Sequence, residues 1–145
     1  SQSMATAIEI AQELIGKAQL RQQKIKEITK EVEGRISKNP DQVVIFEGDP
    51  AWKLTLAGPV ASNIAIKYGK PTFIYKRGDE VSVGSVRSLK EGENSVEAMA
   101  SCSEFLISYG GHPKASGFRV KNENIEKFKA CLEEYFNKKR VSDNN

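Results

Sequence analysis

The chain has 145 residues, a formal net charge of +3 and 39% hydrophobic residues. That is enough for one domain with a real core and one appended element. No run of 18 or more apolar residues occurs and no basic-then-apolar leader opens the chain, so neither a membrane span nor a signal peptide is expected. The small positive charge permits a polyanionic partner without implying one.

Residues 5–36 read as one long helix, with Ile8, Ala11, Ile15, Ala18, Ile25 and Val32 at helical spacing. At roughly 45 Å it is too long to lie wholly against a small domain, so a linker over residues 1–37 is expected. Residues 1–4, "SQSM", look like an expression scar and are left out of the fold. "SKNPD" at 37–41 breaks the pattern and opens a domain taken as 38–140.

"QVVIFEG" is an apolar, β-branched run and reads as a buried strand. "GPVASNIAIKYG" then reads as a helix, with Pro59 in its first turn and Gly69 ending it. "PTFIYKR" and "EVSVGSVRS" are two more strands joined by a "RGDE" turn. Asn94 and Glu97 have capping-box spacing, and Val96, Met99, Cys102, Leu106 and Tyr109 predict a helix ending at Gly110. "ASGFRVK" is a fourth strand. Asn122 or Asn124 starts a last helix that buries Ile125, Phe128, Leu132, Tyr135 and Phe136, and residues 141–145 are expected to be a disordered tail.

Strands alternating with helices give an α/β class. A crossover between the first two strands and a hairpin to the third predict a small mixed sheet of four or more strands with flanking helices. Cys102 and Cys131 fall on apolar stripes without metal-ligand spacing, and read as reduced packing residues of a cytoplasmic protein.

Two stretches carry chemistry. In "GSVRS", Gly84 permits close approach, Ser85 and Ser88 offer hydroxyls, and Arg87 offers a planar donor fork suited to phosphate. In "YGGHPKASGF", Gly110 and Gly111 free the backbone to face an anion. His112, the single histidine, can donate to a phosphate oxygen, Lys114 adds charge, and Ala115, Ser116 and Gly117 leave room for a ligand. The bland alternatives are a solvated arginine at a strand end and a hydrogen-bonded histidine in a turn. With one histidine and aspartates only at 41, 49, 79 and 143, a His/Asp metal cluster cannot be assembled, and no carboxylate is marked to orient a Ser–His pair.

"GSVRS", a helix-bearing interval and "GGHPKASGF" together resemble the signature of the DHH-associated domain, the substrate-binding part of the DHH phosphoesterase superfamily. "GPVASNIAIKYGKPTFIY", after a tryptophan-containing loop, and "AQLRQQKIKEI" in the first helix are similar to segments of RecJ-type single-strand-specific exonucleases. The likeness spans about residues 40–137, and it departs at Lys53, where RecJ-type chains usually carry a histidine after the loop tryptophan.

The resemblance implies a division of labour. Manganese or magnesium would sit in a DHH domain outside this sequence, with no cofactor in this chain. Arg87 and Ser88 would contact the phosphates of single-stranded nucleic acid, while Gly110, Gly111 and His112 would face the scissile phosphate. The isolated chain would then be inactive. Relatives acting on oligoribonucleotides, cyclic dinucleotides or phosphonucleotides form an alternative, and a helix-mediated interaction module without nucleic-acid binding forms another.

Overall fold

The computed structural model describes residues 1–144. Helix α1 (Gln2–Lys38) is followed by strand β1 (Ile45–Asp49), helix α2 (Leu54–Tyr68), and strands β2 (Thr72–Lys76) and β3 (Val81–Arg87). The chain continues through helix α3 (Ser95–Ser101), strands β4 (Leu106–His112) and β5 (Ala115–Lys121), and helix α4 (Ile125–Asn144). Short 3-10 turns precede β4 and α4.

The five strands form one mixed sheet in the order β1-β2-β3-β5-β4. Strands β1 and β2 run parallel, joined through α2, because a parallel neighbour needs a crossover. The other three pairs are antiparallel, including the β2–β3 hairpin read from "RGDE".

Each face of the sheet has its own core. On one face Phe46, Phe73, Val86, Phe118 and Val120 meet Met99 of α3 and Phe128, Leu132 and Phe136 of α4. Aromatic rings interlock there, with Phe118 and Phe128 centroids 5.2 Å apart and Phe46 and Phe128 edge-on at 5.6 Å. On the other face Ile45 and Ile74 pack against Val60, Ala61 and Ile64 of α2, and beyond these Ile25, Val32 and Ile36 of α1.

Helix α1 has 37 residues, about 55 Å, and runs unbroken through Gly16 and Gly34. Its docked half is tied to the end of β1 and the loop that follows it. Arg35 pairs with Asp49 at 2.7 Å, donates to the Gly48 carbonyl at 2.9 Å, and lies 4.6 Å over the Trp52 ring. The Trp52 indole donates to Glu31 at 2.7 Å. Asp49 is held below the ordinary aspartate range first by the Ala51 amide, then by Arg35. The outer half is different: Ile8 and Ile15 of the expected stripe stand 53% and 57% exposed, so the stripe is buried only from Ile25 onward.

Several expectations are corrected. Helix α2 begins at Leu54, so Pro59 is its sixth residue rather than in its first turn. The Thr55 carbonyl thereby loses its amide donor from one turn on. The helix expected to run from Asn94 to Gly110 stops at Ser101, although Asn94 does cap it by accepting from the Glu97 amide at 3.1 Å. Leu106, Tyr109 and Gly110 belong to β4, an edge strand.

Cys102 and Cys131 are not free thiols but form a disulfide. Cys102 closes α3, and Cys131 lies on the side of α4 turned toward it. Packing the two apolar faces brings the Cα atoms to 5.9 Å, within bonding range. Helix α4 runs on to Asn144, through most of the polar tail. Asn145, the last of that tail, lies outside the described residues.

Candidate nucleic-acid interface

Helices α1 and α2 cover β1, β2 and part of β3, leaving the same face of β5 and β4 open. Strand alternation and register decide which side chains reach that opening. Three cross-strand rows do so: Arg87, Ala115 and His112; then Ser85, Gly117 and Gly110; then Val83, Arg119 and Ser108. Adjacent strands lie about 4.8 Å apart, so Arg87 and His112 flank a floor two strand spacings wide.

The middle row has almost no side chains. A β-carbon added at Gly110 would meet nothing within 4 Å. Gly110 and Gly117 therefore make a flat strip of backbone between cationic rows. Its wall on the α2 side is Gly58, where a β-carbon would lie 2.7 Å from Nη2 of Arg87. That bare position lets the guanidinium rest across α2, while Nη1 donates to the Val86 carbonyl at 2.8 Å. Among the described residues neither Arg87 nor Arg119 enters an ion pair.

His112 ends β4 at a two-residue hairpin turn through Pro113 and Lys114. Its Nδ1 accepts from the Lys114 amide at 3.1 Å. The neutral imidazole must then carry its proton on Nε2. Gly111, at φ +127°, turns so close to the return strand that a β-carbon would lie 2.8 Å from the Ser116 Cα. A side chain is excluded there both by conformation and by space.

The hairpin tip is clamped from behind. The carbonyl of Lys114 accepts from the Ser88 amide at 3.1 Å, and that of Pro113 from the Ser95 amide at 3.4 Å. The fully buried Ser88 hydroxyl donates to the Glu93 carbonyl at 2.8 Å. The Lys114 ammonium turns toward Glu91, 3.4 Å away.

Thus the structure brings Ser85, Arg87, Gly110 and His112 to one face, with Gly111 and Lys114 at the hairpin end. It places Gly84, Ser88 and Ser116 elsewhere. Gly84 and Ser116 point into the aromatic core. The space over Gly84 admits the Phe118 ring, and the Ile74 carbonyl would lie 2.9 Å from an added β-carbon. Ser116 is 9% exposed. Sequence reasoning missed Gly58 and Arg119. The alternation Ala115, Gly117, Arg119 along "ASGFRVK" carried the signal for Arg119; Gly58 gave none, because its role depends on what crosses it. Among the described residues no group of three His, Cys, Asp or Glu side chains could hold a metal ion, and no helix is long and apolar enough to cross a membrane.

The DHHA1 domain family matches residues 41–138, and so spans the whole sheet, the open face and the clamped hairpin. The chain belongs to the DHHA1 domain family. Within it the similarity is to RecJ. The single-stranded-DNA-specific exonuclease RecJ of Bacillus subtilis is 28% identical over 137 residues, 92% of this chain and 17% of that protein. RecJ of Thermus thermophilus is 35% identical over 97 residues, 67% of this chain and 14% of that protein. The crystal structure of Thermus thermophilus RecJ in complex with Mg2+ superposes with a TM-score of 0.77 at 30% identity, covering 87% of this chain and 19% of that one. An exonuclease RecJ bound to manganese gives a TM-score of 0.73 at 31% identity, covering 87% of this chain and 32% of that one. The C-Ala domain of Aquifex aeolicus alanyl-tRNA synthetase shares the fold alone, at a TM-score of 0.51 and 16% identity. This DHHA1 chain therefore spans less than a fifth of either curated RecJ.

Proposed function

We propose that this chain is the substrate-binding domain of a RecJ-like 5′ to 3′ single-strand exonuclease, and that its open sheet face holds single-stranded DNA by the phosphate backbone. The observation that carries this reading is the row of Arg87, Ala115 and His112 lying directly beside the side-chain-free strip of Gly117 and Gly110 on the open face. A bare backbone floor admits a sugar-phosphate chain, and the cations beside it supply affinity without reading bases. Arg87 offers its remaining guanidinium donors to one phosphate. His112, with Nδ1 already engaged, presents Nε2–H to the oxygens of the scissile phosphate. Ser85, Gly111, Lys114 and Arg119 complete the surface; Gly84, Ser88 and Ser116 hold its shape from behind.

The hydrolytic chemistry belongs to a partner DHH domain of the full-length protein, which would carry manganese or magnesium. We also place the protein in the cytoplasm, in DNA repair. Reducing conditions there would open the Cys102–Cys131 bond, leaving the packing of α3 on α4 to hold that face closed.

Anisotropy titration of a labelled single-stranded oligonucleotide tests the reading. Affinity should fall as salt rises, and Arg87→Ala should weaken binding about tenfold, as expected for the loss of a charged hydrogen-bonding group. Unchanged affinity for Arg87→Ala would remove the phosphate role. Strong preference for a cyclic dinucleotide in competition would replace DNA as the substrate class. With manganese added, the chain alone should leave the oligonucleotide intact.

A further inference from the structure

A second basic feature lies away from the sheet. Lys17, Arg21 and Lys24 recur at i, i+4 and i+7 along α1 and so share one face of the helix. Lys53, the residue before α2, joins them. With Leu20, Thr55 and Leu56 these four cations line a cleft of about 220 Å³ between the two helices.

The charge in this cleft is not balanced locally. Lys17 has Glu13 at 3.4 Å, but among the described residues Arg21, Lys24 and Lys53 enter no ion pair. A solvated helix face ordinarily mixes signs, as Glu134 and Lys138 do on α4. Here like charges converge on a concave surface backed by the buried Leu56 side chain, an arrangement that concentrates positive potential.

The position of the cleft gives it an occupant. Thr55, in its wall, is three residues from Gly58, on which the Arg87 guanidinium rests. Less than one helical turn, about 5 Å along α2, separates the two. A strand leaving the open sheet face past Arg87 would therefore meet these four cations next.

We propose that this cleft is a second phosphate subsite, taking the phosphodiester backbone of the same single strand that the sheet face holds. The inference rests on the sheet-face reading above and extends the track from the sheet onto α1. Its contacts are ionic, so it adds affinity and salt dependence without base preference.

The test compares a long homopolymeric single strand with one only a few nucleotides long. The binder is the full chain carrying Lys17→Ala, Arg21→Ala, Lys24→Ala and Lys53→Ala together, with its unfolding midpoint checked. The long strand should lose at least about tenfold in affinity, and its salt slope should shrink by about 0.7 for each phosphate contact removed. The short strand, held at the sheet, should bind as before. Lys17→Arg, Lys24→Arg and Lys53→Arg together should keep long-strand affinity. If the alanine variant leaves long-strand affinity and slope unchanged while Arg87→Ala weakens both, the cleft serves another partner, such as an acidic protein surface, and the subsite is overturned alone. If the alanine variant weakens binding and Arg87→Ala does not, the sheet reading fails and the cleft stands.

Discussion

The two faces of the sheet in this DHHA1 domain use the same residue type for opposite ends. On the closed face, Gly84 is bare so that the Phe118 ring can lie over it. On the open face, Gly110 is bare and nothing fills the space above it. One absence is a packing device and the other leaves room for a guest. Gly84 lies on β3 and Gly110 on β4, and strand alternation turns one to the core side and the other to the open side.

The difference can be broken from the closed side first. Phe128 is fully buried against Phe46, Phe73 and Phe118. Phe128→Ala should cost about 3–5 kcal/mol in urea unfolding, the usual range for a large core aromatic.

Next comes the glycine pair. Gly84→Ala drives a methyl into Phe118 and the Ile74 carbonyl, and should cost about 1–3 kcal/mol. Gly110→Ala meets open space, so its unfolding midpoint should stay near that of the parent while oligonucleotide affinity drops. Equal loss of stability from both would erase the distinction between the faces.

The smallest effect lies at the anchor of α1. Asp49 has its carboxyl held below the ordinary range by the Ala51 amide and Arg35. Its contribution is fully present above the unfolded-state value, about 3.9, and is lost as pH falls through the lower folded value. Stability measured against pH should therefore decline less steeply on acidification in Asp49→Asn than in the parent.

How far the sequence could be read follows the same division. The closed face was legible, because Phe73, Phe118, Phe128 and Leu132 sit on strict strand and helix periods. Strand β4 was not. "LISYGGH" is exposed along almost its whole length, so no buried alternation marks it as a strand. Val96, Met99, Cys102, Leu106 and Tyr109 meanwhile imitate a helical stripe. His112 stands at the tip of a hairpin, not at the end of the helix that the preceding stripe and glycines suggest. Ser88 and Arg87 are neighbours in sequence, yet one is buried as a clamp and the other faces the opening. Arg87 is the last residue of β3, whereas Ser88 lies just past it, held by the Lys114 and Glu93 carbonyls, contacts with the hairpin tip and the following loop that the sequence does not display. The disulfide was missed because the α3–α4 contact that brings Cys102 to Cys131 is tertiary, across a sequence separation of 29.

Backbone amide shifts followed by NMR during titration with a single-stranded oligonucleotide test the central claim most directly. The amides of Ser85, Arg87, Gly110, His112, Gly117 and Arg119 should move together and saturate at one affinity, while those of Phe73, Leu132 and Phe136 stay still. Shifts confined to other surfaces, with these six unmoved at saturation, would contradict the claim that the open glycine floor is where the strand lies.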